Sequence, residues 1–186
     1  MAKLWQSLKQ GWQEAKNKSD AHSASSELLK AAEKGETETV KALLDQGADA
    51  NARKGPDTAL MLAASGGHAE TARFLLERGA DINPRSLYDW CSFHTAVLGG
   101  SAEVVRLFLE RGADVNAKDP EHEITALMGA AENGYLEIAG ILLDKGAEIN
   151  AYNWMGQTAY MLAEEDPAIQ ALLREKGARP EPPEDW

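Results

Sequence analysis

The sequence predicts an all-α solenoid of stacked helix-turn-helix units joined by loops, preceded by an amphipathic helix. Three observations carry the prediction. A short pattern recurs as Gly47-Ala48-Asp49-Ala50-Asn51, Gly79-Ala80-Asp81-Ile82-Asn83, Gly112-Ala113-Asp114-Val115-Asn116 and Gly146-Ala147-Glu148-Ile149-Asn150, then frays to Gly177-Ala178-Arg179-Pro180; its glycines are 32, 33, 34 and 31 residues apart. Ser26, Thr58, Cys91 and Thr125 each stand 21 residues before one of these glycines, and Thr158 stands 19 before the last. The chain of 186 residues, 44% hydrophobic but 6% aromatic, is long enough for a core and leans towards helices.

Along the chain, residues 1–17 place Leu4, Trp5, Leu8, Trp12 and Ala15 on one helical stripe, with Lys3, Lys9 and Lys16 on the more polar remainder. A polar, Ser-rich linker is expected over 18–25, its serines offering an N-cap to a helix beginning near Glu27. The repeats then fall at 26–51, 52–84, 85–117, 118–151 and 152–179, the first and last being caps. Each unit reads as a first helix such as Thr58-Ala59-Leu60-Met61-Leu62-Ala63-Ala64, a break such as Gly66-Gly67, and a second helix such as Glu70 to Arg78. Gly47, Gly79, Gly112 and Gly146 stop the second helices by supplying a left-handed residue without a Cβ penalty. Small pairs (Ala31-Ala32, Ala63-Ala64, Ala130-Ala131) let helices approach, and Leu pairs (Leu43-Leu44, Leu75-Leu76, Leu142-Leu143) bury larger area. One unit of this size cannot bury both faces, so stacking supplies the stability and the two ends must be atypical. Residues 180–186 form a Pro-rich acidic tail that cannot continue a helix.

The first-helix pattern resembles the ankyrin repeat, whose motif reads Thr-Pro-Leu-His-x-Ala-Ala, and the resemblance covers residues 26–179. The Pro position holds Ala59, Ser92, Ala126 and Ala159; the His position holds Met61, His94, Met128 and Met161, so that His94 alone keeps the family residue and apolar packing by Met is expected elsewhere. The resemblance implies inter-repeat hairpins with projecting tips, a concave face lined by the first helices, and protein-protein recognition rather than catalysis.

Charge narrows the partner. The net charge of -11 excludes general affinity for nucleic acid. Residues 118–151 carry -5 and 152–186 carry -4, a gradient that suits a basic partner or serves solubility alone. No run of about 18 apolar residues spans a bilayer, and Met1 to Trp5 lacks the apolar core of a secretory signal. The expected address is the cytosol and the expected state a monomer, without stable membrane insertion. The single cysteine, Cys91, excludes an internal disulfide and a Cys-based zinc site.

On the hairpin reading the tips are Arg53 to Asp57, Arg85 to Trp90, Lys118 to Ile124 and Tyr152 to Gly156. Aromatics at loop tips mark interfaces, because they bury much area at low entropic cost. Leu87, Tyr88, Trp90, Trp154 and Met155 are therefore the expected partner surface, around an acidic cluster of Asp119, Glu121 and Glu123; Leu98 and Tyr135 either extend it or belong to ordinary packing. Trp90 and Trp154 folding back onto neighbouring hairpins is the competing expectation. Leu4, Trp5, Leu8 and Trp12 offer a second contact, to a partner groove or weakly to a membrane, or else cap the first repeat.

Chemistry is thin. Cys91 and His94 are three apart at a helix start, but no third orienting group accompanies them. His22, His68 and His122 have no metal-ligand spacing, and no phosphate loop or metalloprotease motif is present. No cofactor is expected. Glu164-Glu165-Asp166 reads as a solvated cap rather than acid-base machinery. The resemblance raises Asn83, Asn116 and Asn150 as hydroxylation substrates; local hydrogen bonding in the hairpin approach is the alternative. The function expected is a non-catalytic protein-binding module. A dedicated inhibitor of a basic toxin or nuclease, and a membrane-peripheral scaffold, are the alternatives.

Overall fold

The computed structural model describes residues 23–83 and 92–180. Ten helices are seen among them: α1 over 23–34, α2 (Thr37–Asp45), α3 (Ala59–Ser65), α4 (Ala69–Glu77), α5 (Ser92–Leu98), α6 (Ala102–Glu110), α7 (Ala126–Glu132), α8 (Leu136–Asp144), α9 (Ala159–Leu162) and α10 (Pro167–Glu175). One antiparallel pair, β1 (Arg53–Lys54) with β2 (Asp57–Thr58), closes the first hairpin, and the bridges Lys118–Thr125 and Tyr152–Thr158 close two more. The helices form two layers. First helices α3, α5, α7 and α9 pack successively on one another, and second helices α2, α4, α6, α8 and α10 do the same behind them.

Each unit is built from local chemistry. Thr58, Thr125 and Thr158 adopt extended backbone and accept, through Oγ1, the amide of Met61, Met128 and Met161, satisfying a first-turn donor that the helix leaves unpaired. The expected stop glycines have φ between 86° and 90° at Gly47, Gly79, Gly112 and Gly146. Alanines at 63, 64, 96, 130 and 131 are fully or almost fully buried, which is what brings first helices together, while Phe93, Phe108, Leu60, Leu75, Leu127, Ile138, Leu142, Ile169 and Leu173 fill the space between layers. Met61 and Met128 are buried at the positions where the family motif has His. A close approach explains Gly99: a Cβ there would lie 2.6 Å from the Ala64 carbonyl oxygen and 2.8 Å from that of Ser65.

Two expectations are corrected. The first described helix already runs at residue 23, so residues 23–25 are helical rather than linker, and Ser25 Oγ accepts the Asp49 amide instead of capping a helix near Glu27. The repeat asparagines do more than organise their own loop. Asn51 Nδ2 donates to the Gly79 carbonyl and its Oδ1 accepts the Asp81 amide; Asn116 does the same with Gly146 and Glu148, and Asn150 with Gly177 and Arg179. Each asparagine latches one repeat to the next.

Ion pairs also run between repeats on the second-helix layer: Arg78 with Asp45, Arg73 with Glu103, Arg106 with Glu137, Arg111 with Glu77 and Lys176 with Asp144. All are well exposed, so each contributes little stability. Their consequence is electrostatic, since they neutralise acids on that layer. The last unit departs from the others because α9 has four residues where α3, α5 and α7 have seven.

Candidate functional site

The third and fourth hairpins form one connected edge. In the third, Asp119 is 1% exposed; its Oδ1 accepts the amides of Glu121 and His122 and its Oδ2 that of Ile124, at 2.7 to 3.1 Å. Asp119 is thus an internal organiser of the loop, and its placement in an exposed acidic cluster is corrected. The cause lies in the loop itself, which turns back sharply enough to hold Glu123 at φ 55° and leaves several amides converging on one carboxylate. Glu121 and Glu123 remain exposed. Glu123 pairs with Lys118 at 3.4 Å, whose Nζ also donates to the Tyr152 carbonyl at 3.2 Å and lies 5.4 Å from the Tyr152 ring centre.

In the fourth hairpin Asn153 plays the part of Asp119. It is buried, and its Oδ1 accepts the amides of Met155 and Gln157 while its Nδ2 donates to Gln157 Oε1. The Trp154 amide donates to the His122 carbonyl at 3.1 Å, tying the two tips together, and the His122 and Trp154 rings are tilted with centroids 6.2 Å apart. Even so, Trp154 is 57% exposed and Met155 52%, with Tyr152 at 39% beside them. The backbone beneath these exposed apolar side chains is held by hydrogen bonds, so burying them against another surface would order side chains but not the loop. Tyr152 and His122 were absent from the expected set. Tyr152 directly adjoins Asn153 and Trp154 in the sequence, whereas nothing in the sequence pairs His122 with Trp154.

The remaining expected residues divide. Leu87, Tyr88 and Trp90 of the second tip lie outside the described residues, as do Leu4, Trp5, Leu8, Trp12 and Cys91. Leu98 is 42% exposed, but at the C-terminal end of α5, so a seven-residue helix, about 10 Å long, separates it from the hairpin edge. Its carbonyl accepts the Tyr135 hydroxyl at 3.3 Å, and the Tyr135 ring covers Gly100, where a Cβ would come within 3.0 Å of it. Leu98 and Tyr135 therefore do not join the tip surface. His94 is buried, with Nε2 2.9 Å from the Ile124 carbonyl, which ties α5 to the base of the third hairpin.

A depression of about 450 Å³ opens in the first-helix layer between the last two units. Residues 131–134, at the end of α7 and the turn after it, line one side, and Gln157 with residues 161–166 of the last unit the other; Ala131 and Ala163 are buried, whereas Glu132, Glu164 and Glu165 are exposed. Asp166 is occupied as the N-cap of α10, accepting the amides of Ala168 and Ile169. Elsewhere, Lys41 on α2 is held above its ordinary pKa chiefly by its hydrogen bond to Glu38, well away from these features. Among the described residues no three His, Cys, Asp or Glu side chains are placed to hold a metal ion, and no helix is long and apolar enough to cross a membrane.

Comparison with known families agrees with the architecture. A family model described as "Ankyrin repeats (3 copies)" matches residues 28–119 and again residues 93–183. No curated protein matches the chain.

Proposed function

Because the chain belongs to the ankyrin-repeat family, whose repeats are generally protein-protein interaction modules, we propose that it is a non-catalytic module that binds a protein partner with a basic surface. The anchor is Tyr152, Trp154 and Met155 on the fourth hairpin, flanked by Glu121 and Glu123 of the third. On this reading Leu87, Tyr88 and Trp90 belong to the same partner surface. The observation that carries it is Trp154, whose backbone is held by the His122 carbonyl while its side chain stays 57% exposed. An exposed aromatic is a cost in solubility that a partner removes on binding. The net charge of -11, weighted to the C-terminal repeats, supports a basic partner by raising its encounter rate.

The test is affinity capture from the source lysate with the wild-type chain and with a Trp154→Ser, Met155→Ser variant whose circular dichroism and melting match wild type. A protein retained by the first and lost by the second is the expected result. Equal retention by both would make the tip structural and overturn the assignment.

A further inference from the structure

We infer that the surface of Tyr152, Trp154 and Met155 docks the N-terminal apolar stripe, Leu4, Trp5, Leu8 and Trp12, of a second copy of this chain. The inference rests on the reading of the fourth hairpin as the partner surface and names a partner for it. Stripe and tip are different surfaces of one chain, so the contact between copies is head-to-tail. It depends on concentration, which accords with a monomer in dilute solution.

The two surfaces are complementary in apolar area and in charge. At the tip, Trp154, Met155 and Tyr152 are 57%, 52% and 39% exposed, over a loop held by Asn153 and by the His122 carbonyl. Glu121 and Glu123 are exposed on the adjoining hairpin, and the chain from residue 118 onward is acidic, carrying -5 over 118–151 and -4 over 152–186. The N-terminal segment has the opposite sign: Lys3, Lys9, Lys16 and Lys18 against Glu14 give residues 1–18 a net charge of +3. Within a chain of net charge -11, this segment is the part that combines positive charge with large apolar side chains, which is the chemistry the tip is read to recognise.

The first repeat offers the stripe little to bury against. Glu27 and Thr39 are exposed, whereas Ala59 and Thr71, the residues 32 positions later, are 0% and 1% exposed; Ala42 is exposed as well. The outer flank of that repeat therefore already has the polar character of a solvent-facing cap. Reach argues against the tip of the same chain. Eleven residues lead from Trp12 to the start of α1, a fully extended span of about 36–40 Å. From α1 in the first repeat to α9 in the fifth, beside the fourth hairpin, neighbouring helices at about 8–10 Å take up about 32–40 Å. A contact within one chain demands an almost straight tether, whereas a second copy imposes no such restraint.

The test uses two full-chain variants, one altered in the stripe (Trp5→Ser, Leu8→Ser, Trp12→Ser) and one in the tip (Trp154→Ser, Met155→Ser), each matching wild type in circular dichroism and melting. The tip variant retains Asn153, which organises the loop. In sedimentation equilibrium the mean mass of the wild type should rise above 20.1 kDa with concentration. Each variant alone should associate roughly tenfold more weakly or less, the loss expected when an aromatic anchor is truncated. An equimolar mixture should regain association as a one-to-one pair, because one intact tip and one intact stripe remain between the two. With the stripe variant 15N-labelled, the unlabelled tip variant should shift amides at 121–123 and 152–157. A wild type that stays monomeric at millimolar concentration, a mixture that fails to associate, or shifts centred on Glu27, Thr39 and Ala42 would overturn the contact. Tip shifts between wild type and stripe variant that survive dilution would put the stripe on its own chain and overturn the second-copy assignment. A lysate protein captured through Trp154 by a chain that does not self-associate would sink this inference and leave the protein-binding reading standing. Self-association through the tip with no lysate protein captured would sustain it and defeat the reading of a separate partner instead.

Discussion

Replacing Ser92 by Ala should stabilise the protein. Ser92 is fully buried at the start of α5, and its Oγ is the buried side-chain oxygen that has no hydrogen-bond partner among the described residues. The equivalent residues in the other units are Ala59, Ala126 and Ala159, all at most 1% exposed, so the site accepts a methyl without rearrangement. An unsatisfied buried hydroxyl costs about 1–3 kcal/mol, and removing its oxygen forfeits only a few tenths in dispersion attraction to the surrounding atoms. The net gain is about 1 kcal/mol. For a chain of this length that corresponds to about 2–4 °C in Tm. Because a repeat array is stabilised unit by unit, the gain should concentrate in the third repeat and its neighbours. Urea denaturation reads the total, and native-state hydrogen exchange reads its location, with slower exchange expected for amides of Ser92–Leu98 and Ala126–Glu132. A loss of stability would refute the reasoning, since it would mean that Oγ is engaged and that the hydroxyl belongs to the core.

Three further outcomes follow from the same geometry. Thr125→Ala removes the acceptor of the Met128 amide and should cost about 1 kcal/mol in urea denaturation, opposite in sign to Ser92→Ala in the adjoining repeat. Gly99→Ala forces a Cβ against two backbone carbonyls that cannot move aside and should cost about 2 kcal/mol or more, whereas Gly112→Ala meets nothing within 4 Å and should cost about 1–2 kcal/mol from its left-handed φ alone; thermal melts of the pair separate crowding from strain. Asp119→Ala strands three loop amides and should cost about 2 kcal/mol locally, seen as faster exchange at Glu121, His122 and Ile124; it should also weaken partner capture without contact, because the His122 carbonyl holds Trp154.

How far the surface was legible depended on whether a residue's role is set locally. Trp154 and Met155 were legible, because a large apolar side chain within a turn-rich loop has little of its own chain to pack against, and both are exposed. Asp119 was not. Glu121 and Glu123 stand beside it in the same acidic stretch, and composition cannot tell a carboxylate that collects three amides from one that faces solvent. Leu98 is exposed, as its chemistry allows, but only the structure places it at the far end of its helix from the tips. Glu164-Glu165-Asp166 reads as a solvated cap, and in the structure Asp166 caps α10 while Glu164 and Glu165 are exposed.

What the sequence determined alone is the repeat: helix, break, helix and stop glycine, each dictated by interactions within a few residues, and repeated often enough that stacking is the one way to bury the apolar faces. The tertiary structure decided everything that passes between repeats. Asn116 reaching Gly146 and Glu148, Trp154 hanging on His122, and a depression shared by α7 and α9 all join residues roughly one period apart. The period brings such residues near one another. Which atoms then meet depends on backbone direction at the loops and on the two residues missing from the last repeat, and those are properties of the packed chain.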